Sequence, residues 1–222
     1  MPAVIDFYFD FSSPYGFIGS EKIEALAARH GRSVDWHPVL LGVVFKQTGS
    51  LPLTEVPLKG DYSKRDFARS ARFHGIANFR MPSVFPISTQ APARIVVWLK
   101  RTNPGLAAGA VHALYRAFFV DDIDISNPDR AAAIAGQCGV DAAAARAVID
   151  DPAIKDALRL ENDKAIAAGV FGSPFVIVDG EPFWGVDRFE QVERWLATGG
   201  WRDGEAASRV HAALFCPIGQ LL

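Results

Sequence analysis

The sequence predicts a mixed α/β fold, with strand–helix–strand at the start, a long helical middle, and strand–strand–helix at the end. Two stretches carry most of this. Residues 4–11 alternate, with Ile5, Phe7, Phe9 and Phe11 on one side and Asp6, Tyr8 and Asp10 on the other; period two with aromatics is a strand pattern. Residues 175–178 are apolar and β-prone, and Asp179-Gly180 ahead of residues 182–184 is a hairpin turn signal. Between them most of the chain carries helix start and stop signals.

The elements follow in order. Ser12-Ser13-Pro14 ends the first strand, with Ser13 as N-cap and Pro14 at the first helical position of a helix running toward Arg29. Ile23, Leu26 and Ala27 share one face of it, and Gly31 stops it. Residues 33–38 read as a second strand, parallel to the first through a right-handed crossover. Residues 42–57, rich in Gly, Pro and Thr, read as a loop, and 81–88 as a second. Ser63-Lys-Arg-Asp66 resembles a capping box that starts a helix ending at Gly75. Helices are expected over 89–101, 105–119, from Asn127-Pro128 to Gly139, over 141–149 and over 152–168. Asp187 is expected to cap a last helix to Leu196, and no element is assigned from 201 to 222.

Composition narrows the functional classes. The chain has 222 residues, half of them hydrophobic, with 23 basic and 25 acidic residues and a formal net charge of −2. That is a globular composition without the basic stripe a nucleic-acid binder needs. The two cysteines, Cys138 and Cys216, sit in no CxxC, so neither a disulfide framework nor a zinc site is expected, and a reducing, cytoplasmic setting is the simplest reading. The short apolar run at the start contains Asp6 and Asp10 and lacks a basic leader, which does not fit a signal peptide, and no apolar run is long enough to span a membrane.

Three short motifs carry the chemistry. Ser13-Pro14-Tyr15-Gly16 opens the first helix, where unpaired N–H groups and the positive end of the helix dipole favour an anion such as a thiolate. A serine there forms no disulfide, but its hydroxyl can donate to a sulfur that a ligand brings. Phe171-Gly-Ser173-Pro174 precedes a strand, and a cis Ser173-Pro174 bond would turn its backbone edge toward that helix start, where an extended peptide ligand could pair. Trp184-Gly-Val-Asp187-Arg188 offers a carboxylate to an ammonium and helix N–H groups to a carboxylate, the two ends of an α-amino acid. Each motif also has a purely structural use, as cap, turn and cap. His37, His74 and His30 read as structural or surface residues, no His/Asp/Glu spacing suggests a metal, and Ser13 has no histidine partner for a hydrolase triad.

The order β-α-β, helical insert, β-β-α is that of a thioredoxin-like fold with a large all-helical insertion, with residues 1–42 and 170–200 as the thioredoxin-like part and 43–169 as the insertion. Residues 6–15, 41–50, 169–175 and 179–188, taken together and in this order, resemble the 2-hydroxychromene-2-carboxylate isomerase family. That family is close to kappa-class glutathione transferases and the DsbA-like branch of the thioredoxin superfamily. The resemblance implies glutathione as cofactor, its thiol at Ser13 with Pro14 and Tyr15 beside it. It implies a cysteinyl backbone paired through Ser173 beside Pro174, a γ-glutamyl end at Val186 and Asp187, and contacts from Lys46 and Ser50. The family's loop usually reads Thr-Gly-Asn where this chain has Thr48-Gly49-Ser50, and Val186 stands where a polar residue is common. A small aromatic carboxylate substrate, a homodimer and glutathione-dependent cis–trans isomerisation complete the implication, with Lys46 and Arg94, in or after loops that the resemblance places near the cleft, as candidates to hold the substrate carboxylate and Tyr15, Phe17 and Phe85 to wall its pocket. A kappa-like glutathione transferase and a non-catalytic thioredoxin-fold binding protein are the alternatives.

Overall fold

The computed structural model describes residues 4–201; beyond Trp201, the C-terminal extension expected over 201–222 lies outside them. β1 (Val4–Phe9) is followed by a tight turn and α1 (Pro14–Arg29). The expected cap is present: Ser13 Oγ accepts from the Gly16 N–H at 2.9 Å, and Pro14 fills the first helical position, where a missing N–H costs nothing. β2 (Ser33–Pro38) pairs in parallel with β1, Phe7 opposite Trp36. The chain then passes through α2 (Leu41–Thr48), a 3-10 turn at Leu53–Glu55, α3 (Lys59–Phe73), α4 (Gln90–Thr102) and α5 (Ala107–Phe119). It continues through α6 (Pro128–Gly136), α7 (Ala142–Val148) and α8 (Pro152–Ala167), and returns to the sheet as β3 (Phe175–Val178) and β4 (Glu181–Trp184). A 3-10 turn at Val186–Arg188 leads into α9 (Phe189–Thr198). The strand order is β2-β1-β3-β4, with β3 antiparallel to β1 and β4 antiparallel to β3. Asp179 and Gly180, both at positive φ, make the tight hairpin turn.

Both faces of the sheet are covered. Ile5, Phe7, Phe9 and Phe11 are fully buried on one side with Trp36, Tyr115 and Phe119. Their rings meet edge-on or tilted, Phe9–Phe11 at 5.2 Å and Phe11–Tyr115 at 4.9 Å, so α5 is held against the centre of the sheet by aromatic contact. On the other side Tyr8 packs with Val39, Ala165, Val170 and Phe175. Phe17 belongs to the first core, stacked on Phe119 at 5.4 Å and buried, and does not wall a pocket as expected.

Two local expectations are corrected. The stretch 42–57 is not a continuous loop, because 41–48 is α2. Its start is capped from a distance: the Leu41 N–H donates to Asp10 Oδ2 at 2.7 Å, and the preceding Leu40 N–H to Asn162 Oδ1 at 2.8 Å. The α3 helix begins at Lys59, so Ser63 and Asp66 lie inside it and form no capping box. Ser63 Oγ donates back to the Gly60 carbonyl, and Gly60 lies so close to Thr54 that a Cβ there would stand 2.6 Å from its carbonyl oxygen. That close approach goes with a helix start five residues earlier than the Ser-x-x-Asp pattern suggests, with Leu58 rather than Ser63 at the N-cap.

His37, at the end of β2, is structural as read. It is mostly buried, with Nδ1 2.5 Å from Glu161 and Nε2 3.2 Å from both Asp6 and Asp35, while Lys100 Nζ lies 2.6 Å from Asp35. Asp6, Asp35 and His37 converge although no sequence spacing groups them. Burial alone would lower the His37 pKa, but the hydrogen bonds to Asp35, Asp6 and Glu161 outweigh it and push it up to about 10. A raised histidine pKa stabilises the fold fully below the unfolded value near 6.5 and is lost as pH rises toward 10. Chemical denaturation of the wild type is therefore expected to show stability falling from pH 7 to 9. His37→Ala, expected to lose about 1–3 kcal/mol at pH 7, should flatten that slope.

Candidate functional site

The C-terminal end of β1 and the starts of three helices surround one cleft of about 1350 Å³. Ser13 is at its floor, almost wholly buried, held between two partners: its hydroxyl accepts from Gly16 N–H and donates to the Ser173 carbonyl at 3.0 Å. The Ser173-Pro174 peptide is cis, as expected, and Phe85-Pro86 is a second cis bond that the sequence reading does not identify. Ser173 lines the cleft and, among the described residues, its N–H has no backbone acceptor; its hydroxyl accepts the Asp10 N–H at 3.0 Å.

The other residues read from the sequence fall around this point. Pro14 and Tyr15 line the cleft, as do Lys46 near the end of α2, the exposed Ser50 just after it, Val186 and Asp187. Pro174 is buried behind the lining against Gly19. Phe85 lines the cleft, but Arg94 does not: its guanidinium donates to the Ile149 carbonyl and to Gln90, so it is not available to a substrate. Asp187 caps no helix. It sits within a 3-10 turn, α9 starts after Arg188, and its side chain is 70% exposed with Arg188 3.7 Å away. Gly185 at φ 101° allows this, since a Cβ there would stand 2.3 Å from Asp187 Oδ1.

Four site residues escaped the sequence reading: Asp66, His74, Asp10 and Tyr115. Tyr15 donates to Asp66 of α3 at 2.5 Å, and Asp66 is also paired with Arg69. Burial and the adjacent Asp66 carboxylate push the Tyr15 phenol well above its usual range, so it stays protonated. His74, at the end of α3, lines the cleft and is partly buried rather than a free surface residue; desolvation first, then the charge of Lys22, lowers its pKa. Asp10, one residue past β1, lines the floor at 3% exposure. Its carboxylate accepts from the Ser12 and Leu41 N–H groups at 2.7 Å each, but burial prevails over these bonds and pushes its pKa up to about 6. Gly16 allows Tyr115 to reach the floor. No spacing marks these four, because their partners lie far away in sequence.

A sheet with one parallel and two antiparallel pairings, a cis-proline loop facing the first helix start, and a long helical segment between the sheet halves define a DsbA-like thioredoxin fold with serine at the redox position. The chain belongs to the DSBA-like thioredoxin domain family, whose model matches residues 4–197. A 2-hydroxychromene-2-carboxylate isomerase of Sphingobium xenophagum is 29% identical over 198 residues, covering 88% of this chain and 99% of the relative. Glutathione S-transferase kappa 2 of Caenorhabditis elegans is also 29% identical, covering 87% and 92%. Among solved structures, a 2-hydroxychromene-2-carboxylate isomerase superposes with a TM-score of 0.74 at 25% identity, covering 87% of this chain and 94% of that one. Among the described residues no helix is long and apolar enough to cross a membrane.

The tightness of the floor is testable at Gly16. A Cβ there would stand 2.6 Å from Tyr115 Oη and 2.7 Å from Ser173 Oγ, both on buried residues. Gly16→Ala is expected to destabilise the fold by about 1–3 kcal/mol despite the helix propensity of alanine. Gly109→Ala, in open space on α5, is the control and should gain roughly 0.5–1 kcal/mol. Urea denaturation of both variants checks the contrast.

Proposed function

We propose that the cleft binds glutathione and uses it to isomerise a small aromatic carboxylate, interconverting 2-hydroxychromene-2-carboxylate and trans-o-hydroxybenzylidenepyruvate. The observation that carries this reading is the Ser13 hydroxyl 3.0 Å from the Ser173 carbonyl at a helix N-terminus, with a peptide edge and a free carboxylate along the same cleft. The residues fit the ligand in three places. The Ser173 N–H and carbonyl are the pair an extended cysteinyl backbone takes. Asp187, uncommitted to any helix cap, suits the γ-glutamyl ammonium, with the Val186 backbone beside it. Lys46 and Ser50 border the opposite side, and with Arg94 tied elsewhere Lys46 is the cation left there for a carboxylate.

Bound glutathione supplies a thiolate that adds to a conjugated carbon and is expelled after rotation about the resulting single bond, so it is regenerated. The chain's own contributions are positional and electrostatic. Ser13 turns its proton from the Ser173 carbonyl to the sulfur, while the cysteinyl N–H takes over that carbonyl. The start of α1 adds its positive end to the same point. Tyr15 and Phe85 wall the space for an aromatic ring. Similarity to the kappa transferase favours a second reading, release of a glutathione conjugate instead of thiol elimination. Mass spectrometry of the products separates the two, since only the transferase leaves sulfur on the product. A binding protein would show no glutathione-dependent turnover.

Two substitutions test the site. Ser13→Ala is expected to raise the pKa of the bound thiol and lower turnover, with about 1 kcal/mol of stability lost through the missing cap. Ultraviolet titration of the thiolate reads the shift, and equal pKa values in both proteins would count against the assignment. Asp187→Asn keeps shape and removes charge; since Asp187 caps nothing, the melting temperature should not change. Glutathione affinity is expected to fall about 10- to 150-fold, measured by calorimetry. Equal affinities would move the γ-glutamyl site elsewhere.

A further inference from the structure

Asp10 touches neither the Ser13 hydroxyl nor Lys46, Ser50 and Asp187, yet it meets the segments that carry Ser13, Ser173 and Lys46. Its N–H donates to Ser173 Oγ, and its carbonyl accepts from the Ser13 N–H at 2.9 Å and from Tyr115 Oη at 2.8 Å. Its carboxylate accepts from the Ser12 N–H just before α1 at one oxygen and from the Leu41 N–H at the start of α2 at the other. The α2 helix has eight residues and one buried side chain, Val44, too little length or packing to hold itself. It is also the element that carries Lys46 and leads to Ser50.

We propose that Asp10 is a positioning residue whose carboxylate ties the turn before α1 to the start of α2 and so sets Lys46 and Ser50 at the right distance from Ser13 to hold one glutathione. This rests on the reading of the cleft as a glutathione site. The clasp needs a carboxylate rather than an amide: two N–H donors approach two different oxygens, and asparagine would turn an NH2 toward one of them. Protonation has the same effect, since a carboxyl hydroxyl accepts an N–H poorly. Burial places that protonation near pH 6. On the surrounding elements, burial holds the phenols of Tyr15 of α1 and Tyr115 of α5 neutral, and Lys46 of α2 and Arg94 of α4 are the basic side chains. Desolvation opposes ionisation of Asp66 of α3, but the hydrogen bonds from Tyr15 and Arg69 outweigh it and lower its pKa. Desolvation and Lys22 lower the pKa of His74 of α3, whose titration is common to the wild type and to Asp10→Asn and so cancels in their comparison.

The test uses the full chain with Asp10→Asn, amide hydrogen exchange by mass spectrometry, and glutathione titration at pH 7 and pH 5. Exchange over 41–48 is expected to speed up at least about tenfold while sheet amides hold, and glutathione affinity to fall about tenfold or more. Wild-type affinity should drop between pH 7 and 5, and that drop should vanish in Asp10→Asn. Unchanged exchange over 41–48 with wild-type affinity would overturn the proposal. Should Asp10→Asn fail to fold, the wild type carries the test. Exchange over 41–48 that speeds up several-fold from pH 7 to pH 5 after correction for the intrinsic rate, together with the affinity drop, supports the clasp, and pH-independent corrected exchange with a flat affinity profile refutes it. A wild type that binds no glutathione sinks the proposed function alone, because exchange over 41–48 still decides what Asp10 does.

Discussion

The architecture of the cleft depends on one buried carboxylate. Removing an ionised side chain from water costs several kcal/mol unless hydrogen bonds and favourable dipoles offset it. Asp10 meets this condition because the turn into α1 and the start of α2 each present a backbone N–H to it. The offset is incomplete, which is why its pKa lies well above the ordinary aspartate range while remaining below neutrality. Charge, turn geometry and helix placement at the floor are therefore a single problem with a single solution.

That arrangement leaves Ser13 at the edge of a field built from backbone. The hydroxyl is buried, locked between Gly16 and Ser173, and aimed at the place where the cis-proline loop meets the first helix. With serine at this position the fold's dithiol chemistry is lost here, but the electrostatics that favour a thiolate remain, available to sulfur from outside the chain. The proposed glutathione chemistry uses this inheritance: the nucleophile comes with the ligand, and the protein keeps the helix start, the peptide edge and the floor.

The two sides of the sheet do different work. On one, Phe9, Phe11, Tyr115 and Phe119 lock α5 to the end of β1, and Tyr115 turns its hydroxyl to the Asp10 carbonyl, so core packing reaches the floor of the site directly. On the other, the His37 network and Tyr8 fix α8 and the end of α4 against the sheet, and α8 in turn supplies Asn162 to the turn before α2. On both faces the last link to the cleft is a hydrogen bond from a side chain to backbone, Tyr115 to the Asp10 carbonyl and Asn162 to the Leu40 N–H.

The sequence by itself determined what local physics dictates: the strand from alternating aromatics, the capped start at Ser13-Pro14, the hairpin at Asp179-Gly180, the cis-proline loop and the order of elements. These rest on interactions within a few residues, or on a residue type with few alternatives, and so they are visible without a partner. Only the tertiary structure decided the rest. The α2 helix has no local cap because its cap is Asp10, 31 residues away. The start of α3 is set by contact with Thr54 rather than by Ser63 and Asp66, Asp187 stands outside any helix cap because a 3-10 turn intervenes, and Arg94 is drawn to the Ile149 carbonyl. Each is decided by a donor, an acceptor or a steric limit that lies elsewhere in the chain, and no periodicity in the sequence records where the fold will bring it.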